Sequence, residues 1–177
     1  MQIREAKKSD FEDVYSIECE AFGMDKEAKL VKDLLSDPSA EPLLSLLAFE
    51  NDKAVGHILF TKASLEPQSS LSISLLAPLA IIPDMQGKGV GGKLVQHGLK
   101  ILAERGVDLV FVLGHPGYYP RFGFIPVGTN GYEAPYPIPE KYSDAWMFQL
   151  LNKEKTGSSS GKVIVAVKLN KPEHWRE

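Results

Sequence analysis

The chain has one cysteine, Cys19, in 177 residues, so it can form no internal disulfide and no thiolate cluster for a structural zinc. It also lacks an excess of positive charge: 20 Lys and Arg stand against 23 Asp and Glu, a formal charge of −3. That balance removes the general electrostatic case for nucleic acid or an anionic membrane as partner. Long apolar runs are missing too. The longest, from Leu75 to Ile82, is broken by Pro78 and falls far short of the ~20 residues a membrane-spanning helix needs. Met1-Gln2-Ile3-Arg4 turns polar at once, which predicts no signal-peptide core. Disulfide-scaffold, secreted and membrane classes are set aside, and the expected compartment is the cytoplasm.

What is present is a globular composition, 44% hydrophobic and 24% charged, at a length that suits one domain over residues 1–177. Ile3 opens a short strand. Ser9 and Glu12 have capping-box spacing, ahead of Phe11, Val14, Ile17 and Ala21 at helical spacing, which predicts a helix from Asp10 to Ala21. Leu30, Val31, Leu34 and Leu35 form a second helical face that stops before Pro38. Leu43 to Glu50 and Ala54 to Thr61 flank Asn51-Asp52-Lys53, a hairpin turn. From Leu71 to Ile82 runs a third apolar strand, where Pro78 cannot donate to a ladder and so predicts a bulge or a splayed sheet. Val90, Leu94, His97, Ile101 and Leu102 trace a helix ending at Gly106. Leu109 to Leu113 is a buried strand suited to parallel pairing. Pro116 to Phe122 predicts a short helix. Strands at Ala145 to Leu151 and Lys162 to Leu169 flank Thr156 to Gly161, which reads as a mobile hairpin tip. The order is that of one mixed α/β domain.

The informative stretch is Gln86-Gly87-Lys88-Gly89-Val90-Gly91-Gly92-Lys93, between an apolar strand and a helix. Glycines there let backbone N–H groups approach a ligand, and a helix N-terminus adds about half a positive charge. Phosphate or pyrophosphate is the favoured ligand. Gly87, Gly89 and Gly92 satisfy the dinucleotide fingerprint, but Val112 to His115 stand where it wants an acid for the ribose. Gly87, Gly92 and Lys93 fit the nucleotide P-loop, but Leu94 replaces its magnesium-holding Ser or Thr. Gln86, Gly89 and Gly91 meet a third pattern, Gln-x-x-Gly-x-Gly.

In that pattern the chain resembles the GNAT superfamily, the Gcn5-related N-acetyltransferases. A Tyr-x-x-x-Gly-Phe run at Tyr119, Gly123 and Phe124 follows at consistent spacing, and Val112 to Pro116 is most similar to the YhbS-like branch. The resemblance implies a mixed α/β, mostly antiparallel central sheet, splayed at a bulge and flanked by helices. It implies acetyl-CoA as co-substrate, an amine of a small molecule or protein as acceptor, and no metal. It places the cofactor's pyrophosphate on Gln86, Gly87, Lys88, Gly89, Val90, Gly91 and Gly92, and its pantetheine arm on Leu79, Ala80 and Ile81. An oxyanion contact falls to a backbone N–H near Ile81, and thiolate protonation to Tyr119, whose phenol in its ordinary range matches a departing thiolate. An Asn that many relatives carry before the tyrosine is replaced here by Phe111-Val112-Leu113-Gly114. A homodimer stays open.

The general base is not legible. Leu71 to Ile82 holds no carboxylate, which leaves Glu18, Glu20, His57, His115 or a water chain. Cys19 lacks a recognisable base and reads as apolar filler. Tyr132 to Pro139 reads either as a loop lining the acceptor pocket or as a rigid surface connection. Two further classes are carried: a non-catalytic acetyl-CoA sensor or interaction module, and a dinucleotide oxidoreductase.

Overall fold

A tight hairpin lies within the sheet. Asn51 and Asp52 both take the left-handed conformation, with φ of 50° and 66°, which matches the twist of two flanking strands. These are β2 (Leu44–Glu50) and β3 (Lys53–Glu66). In this computed structural model, which describes residues 1–156 and 159–176, β1 (Gln2–Glu5) pairs with β2, and β4 (Ile73–Ile81) pairs with β3. Then follow β5 (Leu109–Leu113), β6 (Ile125–Pro126), β7 (Tyr132–Glu133), β8 (Trp146–Leu150) and β9 (Gly161–Val165). The sheet runs β1-β2-β3-β4-β5-β8-β6, antiparallel except that β5 lies parallel to β4 and β7 parallel to β9.

The helices are α1 (Phe11–Phe22), α2 (Lys26–Leu35), α3 (Val90–Glu104) and the short α4 (Lys153–Thr156). Successive strand residues point to opposite faces, and β3 shows which helix covers which. At Gly56 a side chain would meet Val90 and Leu94 of α3, whereas the next residue, His57, meets Glu18 of α1. So α3 covers one face and α1 with α2 the other. The buried core includes Phe60, Phe111 and Phe124. Gly98 lets α3 approach closely, because a Cβ there would enter the Phe60 ring. No helix among the described residues is long and apolar enough to cross a membrane.

Three expectations are corrected. The Ser9–Glu12 capping box does not form; a 3-10 turn over Lys8–Asp10 leads into α1 instead. There the Asp10 carboxylate accepts from the Lys7 N–H at 2.7 Å and from both Arg4 guanidinium nitrogens at 2.8 and 3.0 Å. A forked, charged pair outcompetes a serine hydroxyl. The last expected strand, Lys162 to Leu169, ends at Val165 and turns into a 3-10 helix at Val167–Leu169. Finally, β8 and β9 form no hairpin. β8 pairs with β5 and β6, while β9 takes the part of β3 that β2 leaves uncovered, Ala63 to Glu66. Of the expected tip, Gly157 and Ser158 lie outside the described residues.

Asp10 supplies a stability test with a defined sign. Its carboxyl is held down to about 2, first by the Arg4 guanidinium and then by the Lys7 N–H, against an ordinary 3.8. A depressed folded value means stabilisation that is complete above the unfolded value and lost as pH falls through the folded one. Asp10→Asn should cost about 1–2 kcal/mol at neutral pH. In urea unfolding, the difference from the parent should shrink as pH drops from about 4 toward about 2. Gly98→Ala, by overpacking against Phe60, should cost about 1–3 kcal/mol in the same assay.

Candidate active site

Strand β4 parts from β5 half-way along. The two pair from Ile73↔Leu109 to Leu76↔Val112, and no pairing continues beyond. At the same place β4 gains a residue against β3, since Ile58 and Phe60 align with Leu79 and Leu76. The excess falls at Ala77-Pro78, where proline has no N–H for the ladder. The expected bulge and splay are both there.

Past the bulge, the ladder decides which peptide groups are spare. The Ile82 N–H donates to the Val55 carbonyl at 3.0 Å. Antiparallel alternation then turns the amides of Ala80 toward β3 and those of Leu79 and Ile81 toward the gap. Gln86 closes one of them: its Nε2 donates to the Ile81 carbonyl at 2.9 Å. Gln86 thus braces the end of β4. The Leu79 amide and the Ile81 N–H remain turned into the gap.

The glycine loop has two kinds of glycine. Gly87 and Gly89 sit at φ of +75° and +84° with open space around a would-be Cβ, so they serve conformation. Gly91 and Gly92 serve proximity. A Cβ on Gly91 would strike the Tyr118 hydroxyl, and one on Gly92 would lie 2.8 Å from the Phe122 ring. Gly89 is the N-cap of α3 and offers no side-chain cap, so the first-turn N–H groups point outward unshielded. They open on a cleft of ≈ 580 Å³ whose cations are Lys93 and Arg121. Lys88 is not among its lining residues, and Val90 reaches it only from the core, 3% exposed. Arg121 was not singled out in the sequence; its guanidinium sits 5.6 Å from the Tyr118 ring centre.

A second cleft, ≈ 680 Å³, is lined by both β4 and β5 where they part and shares Phe22 and Leu79 with the first. Tyr119 lines it from a 3-10 turn, Tyr119–Phe122, which is all that forms of the helix expected over Pro116 to Phe122. Its ring packs edge-on against Tyr118 and Phe124 at 5.1 and 5.8 Å. It also covers Gly114, where any Cβ would strike it. The absence of a side chain at Gly114 is therefore what seats the tyrosine. Burial pushes the Tyr119 phenol well above its ordinary range, and neighbouring Tyr118 adds to the shift.

The base candidates separate cleanly. Glu20 is exposed on the outer face of α1. Glu18 and His57 face each other in the core, both 0% exposed, with Oε1 3.6 Å from Nδ1, too long for a hydrogen bond. His57 Nε2 lies 2.8 Å from the Ser45 hydroxyl. Burial raises Glu18, with His57 opposing and Glu27 adding. Neither reaches the cleft. His115 does line it, but its Nδ1 accepts the Gly117 N–H at 3.0 Å, leaving Nε2 as a donor in the neutral ring. Cys19 is a half-buried free thiol. Tyr132 to Pro139 contributes nothing to the lining; the next turn does, through Tyr142 and Ala145. Glu27, His174 and Trp175 complete the wall. They carry no local motif and went unread.

This geometry has close counterparts. A profile described as "Acetyltransferase (GNAT) domain" matches residues 2–127. The chain is 54% identical over 146 residues, 81% of each chain, to "Uncharacterized N-acetyltransferase YjhQ" of Escherichia coli (strain K12). It is 35% identical over 105 residues to YhbS of the same strain, covering 59% of this chain and 61% of that one. Among solved structures, the E. coli GNAT family N-acetyltransferase YhbS in complex with CoA superposes at a TM-score of 0.86 and 27% identity, over 96% and 92% of the two chains. A GNAT family acetyltransferase from Brucella melitensis in complex with acetyl-CoA gives 0.74 and 25%, over 95% and 97%. The chain is a member of the GNAT family of N-acetyltransferases.

Proposed function

We propose that this enzyme moves an acetyl group from acetyl-CoA to a primary amine by direct attack, in the gap between β4 and β5. The observation that carries the reading is the uncapped N-terminus of α3, opening onto the spare amides of β4. The amides of Gly87, Gly89 and Gly91 would receive the pyrophosphate, with Lys93 and Arg121 adding charge. The Leu79 amide would pair with the pantetheine arm. With Ile81's carbonyl held by Gln86, its N–H is left to meet the oxyanion that develops on the thioester. Ala80 would contribute shape alone, its amide being turned to β3.

In the reaction the free amine nitrogen attacks the thioester carbon and forms the C–N bond, the C–S bond breaks with its electron pair on sulfur, and the proton lost by nitrogen reaches that sulfur through solvent to give free CoA. Tyr119 would face the departing sulfur. Its phenol, raised by burial, keeps its proton across the working range, so it acts by donating a hydrogen bond to the developing thiolate. That differs from the matched proton transfer which the ordinary phenol range implies. The sensor reading is not favoured, since it leaves both the larger cleft and a tyrosine seated on Gly114 without a use.

Isothermal titration and CoA-release kinetics test these roles. Tyr119→Phe should slow turnover about ten- to a hundredfold, the scale of one hydrogen bond to a charged group, and leave acetyl-CoA affinity unchanged. Gly89→Glu, which strains a left-handed position and sets an anion at the α3 N-terminus, should abolish acetyl-CoA binding while the chain stays folded. Equal turnover in the first variant would remove Tyr119 from the mechanism.

A further inference from the structure

The larger cleft limits what the acceptor can be. Among the described residues that line it, Glu27 is the sole carboxylate and none is Lys or Arg. The rest of the wall is mainly apolar or aromatic, including Phe22, Leu30, Pro78, Tyr142, Leu169 and Trp175. Glu27 stands in the first turn of α2, and its Oε2 is shut from solvent without a hydrogen-bond partner. A buried carboxylate oxygen with no donor is costly, and because Glu27 lines the cleft a turn of its side chain toward a donor held there would relieve that cost.

The neighbouring titratable groups leave this charge alone in the site. Glu18 sits behind it, sealed in the core, where burial and the Glu27 charge both favour its neutral form. His174 lines the same cleft. Burial lowers its pKa; Lys26 of α2 and Lys171 act in the same direction, against Glu173 and Glu27. Its ring is uncharged near neutrality and does not repel a cation. A guest therefore meets one negative charge in apolar surroundings.

Resting on the transferase reading above, we propose that the acceptor is a singly charged primary amine on an apolar, aromatic-sized body, with Glu27 receiving its ammonium group, which then gives up a proton to Glu27 or solvent so that the free amine attacks. Each further charge on a polyamine or an aminoglycoside would be pressed against walls that offer it no partner.

The test uses the full chain with acetyl-CoA and follows free CoA. 2-Phenylethylamine should exceed spermidine and kanamycin in kcat/KM by about tenfold or more, the effect of one unpaired charge even where partly solvated. Spermidine or kanamycin matching it would overturn the inference and leave the transferase reading standing. No CoA release with any amine, across aromatic, aliphatic, polycationic and peptide classes, would overturn both. Glu27 is tested with two inhibitors that form no amide, cationic N,N-dimethyl-2-phenylethylamine and neutral 2-phenylethanol. Glu27→Gln should weaken the cation about tenfold or more and leave the alcohol and acetyl-CoA unaffected. Equal weakening of cation and alcohol, or no weakening of the cation, would remove Glu27 as the anchor.

Discussion

Four residue pairs join β4 to β5, and then the hydrogen bonding stops. Every other feature of the site depends on that interruption. Had the ladder continued, the amides of Leu79 and Ile81 would be spent on β5, and no slot would run through the sheet. The cause is local: one residue too many at Ala77-Pro78, with a proline that cannot donate. The consequence is long-range, since the cleft that opens at the gap also takes Glu27 from near one end of the chain and His174 from the other.

Glycines and aromatic rings hold the parted halves at a fixed separation. Gly91 faces the Tyr118 hydroxyl, Gly92 the Phe122 ring and Gly114 the Tyr119 ring. Each contact replaces a side chain on one partner with a ring from the other. Close packing of this kind transmits small changes directly. The loop at the α3 N-terminus and the turn bearing Tyr119 are thus one packed unit, although Gly91 and Tyr119 come from separate stretches of sequence.

Legibility in the sequence followed distance along the chain. The loop from Gln86 to Gly92, the bulge at Pro78 and the tyrosine before Gly123-Phe124 are dictated by neighbouring residues, and each was visible in a short window. The α1 cap was misread because Arg4 and Asp10, six positions apart, form a forked pair that no capping motif describes. The C-terminal pairing was misread because β9 answers to the length of β3, not to β8. Glu27 and His174 meet in one cleft from opposite ends of the chain, and neither stands in a pattern that marks it. His57 looked like a base candidate because its burial against Glu18 has no signature in sequence.

The parted strands also bear on how the molecule avoids its own kind. An open strand edge ordinarily invites pairing with a strand from another molecule, the first step of aggregation. Here the open edge of β4 lies inside the sheet, with β5 and its partners on the far side of the gap and helices over both faces. Pro78 has no N–H to offer, and Gln86 already covers the Ile81 carbonyl. Only a slender chain fits lengthwise. A β-strand with side chains on two faces meets α1 above and α3 below. The fold thus keeps an open edge in a place where only a narrow guest can use it.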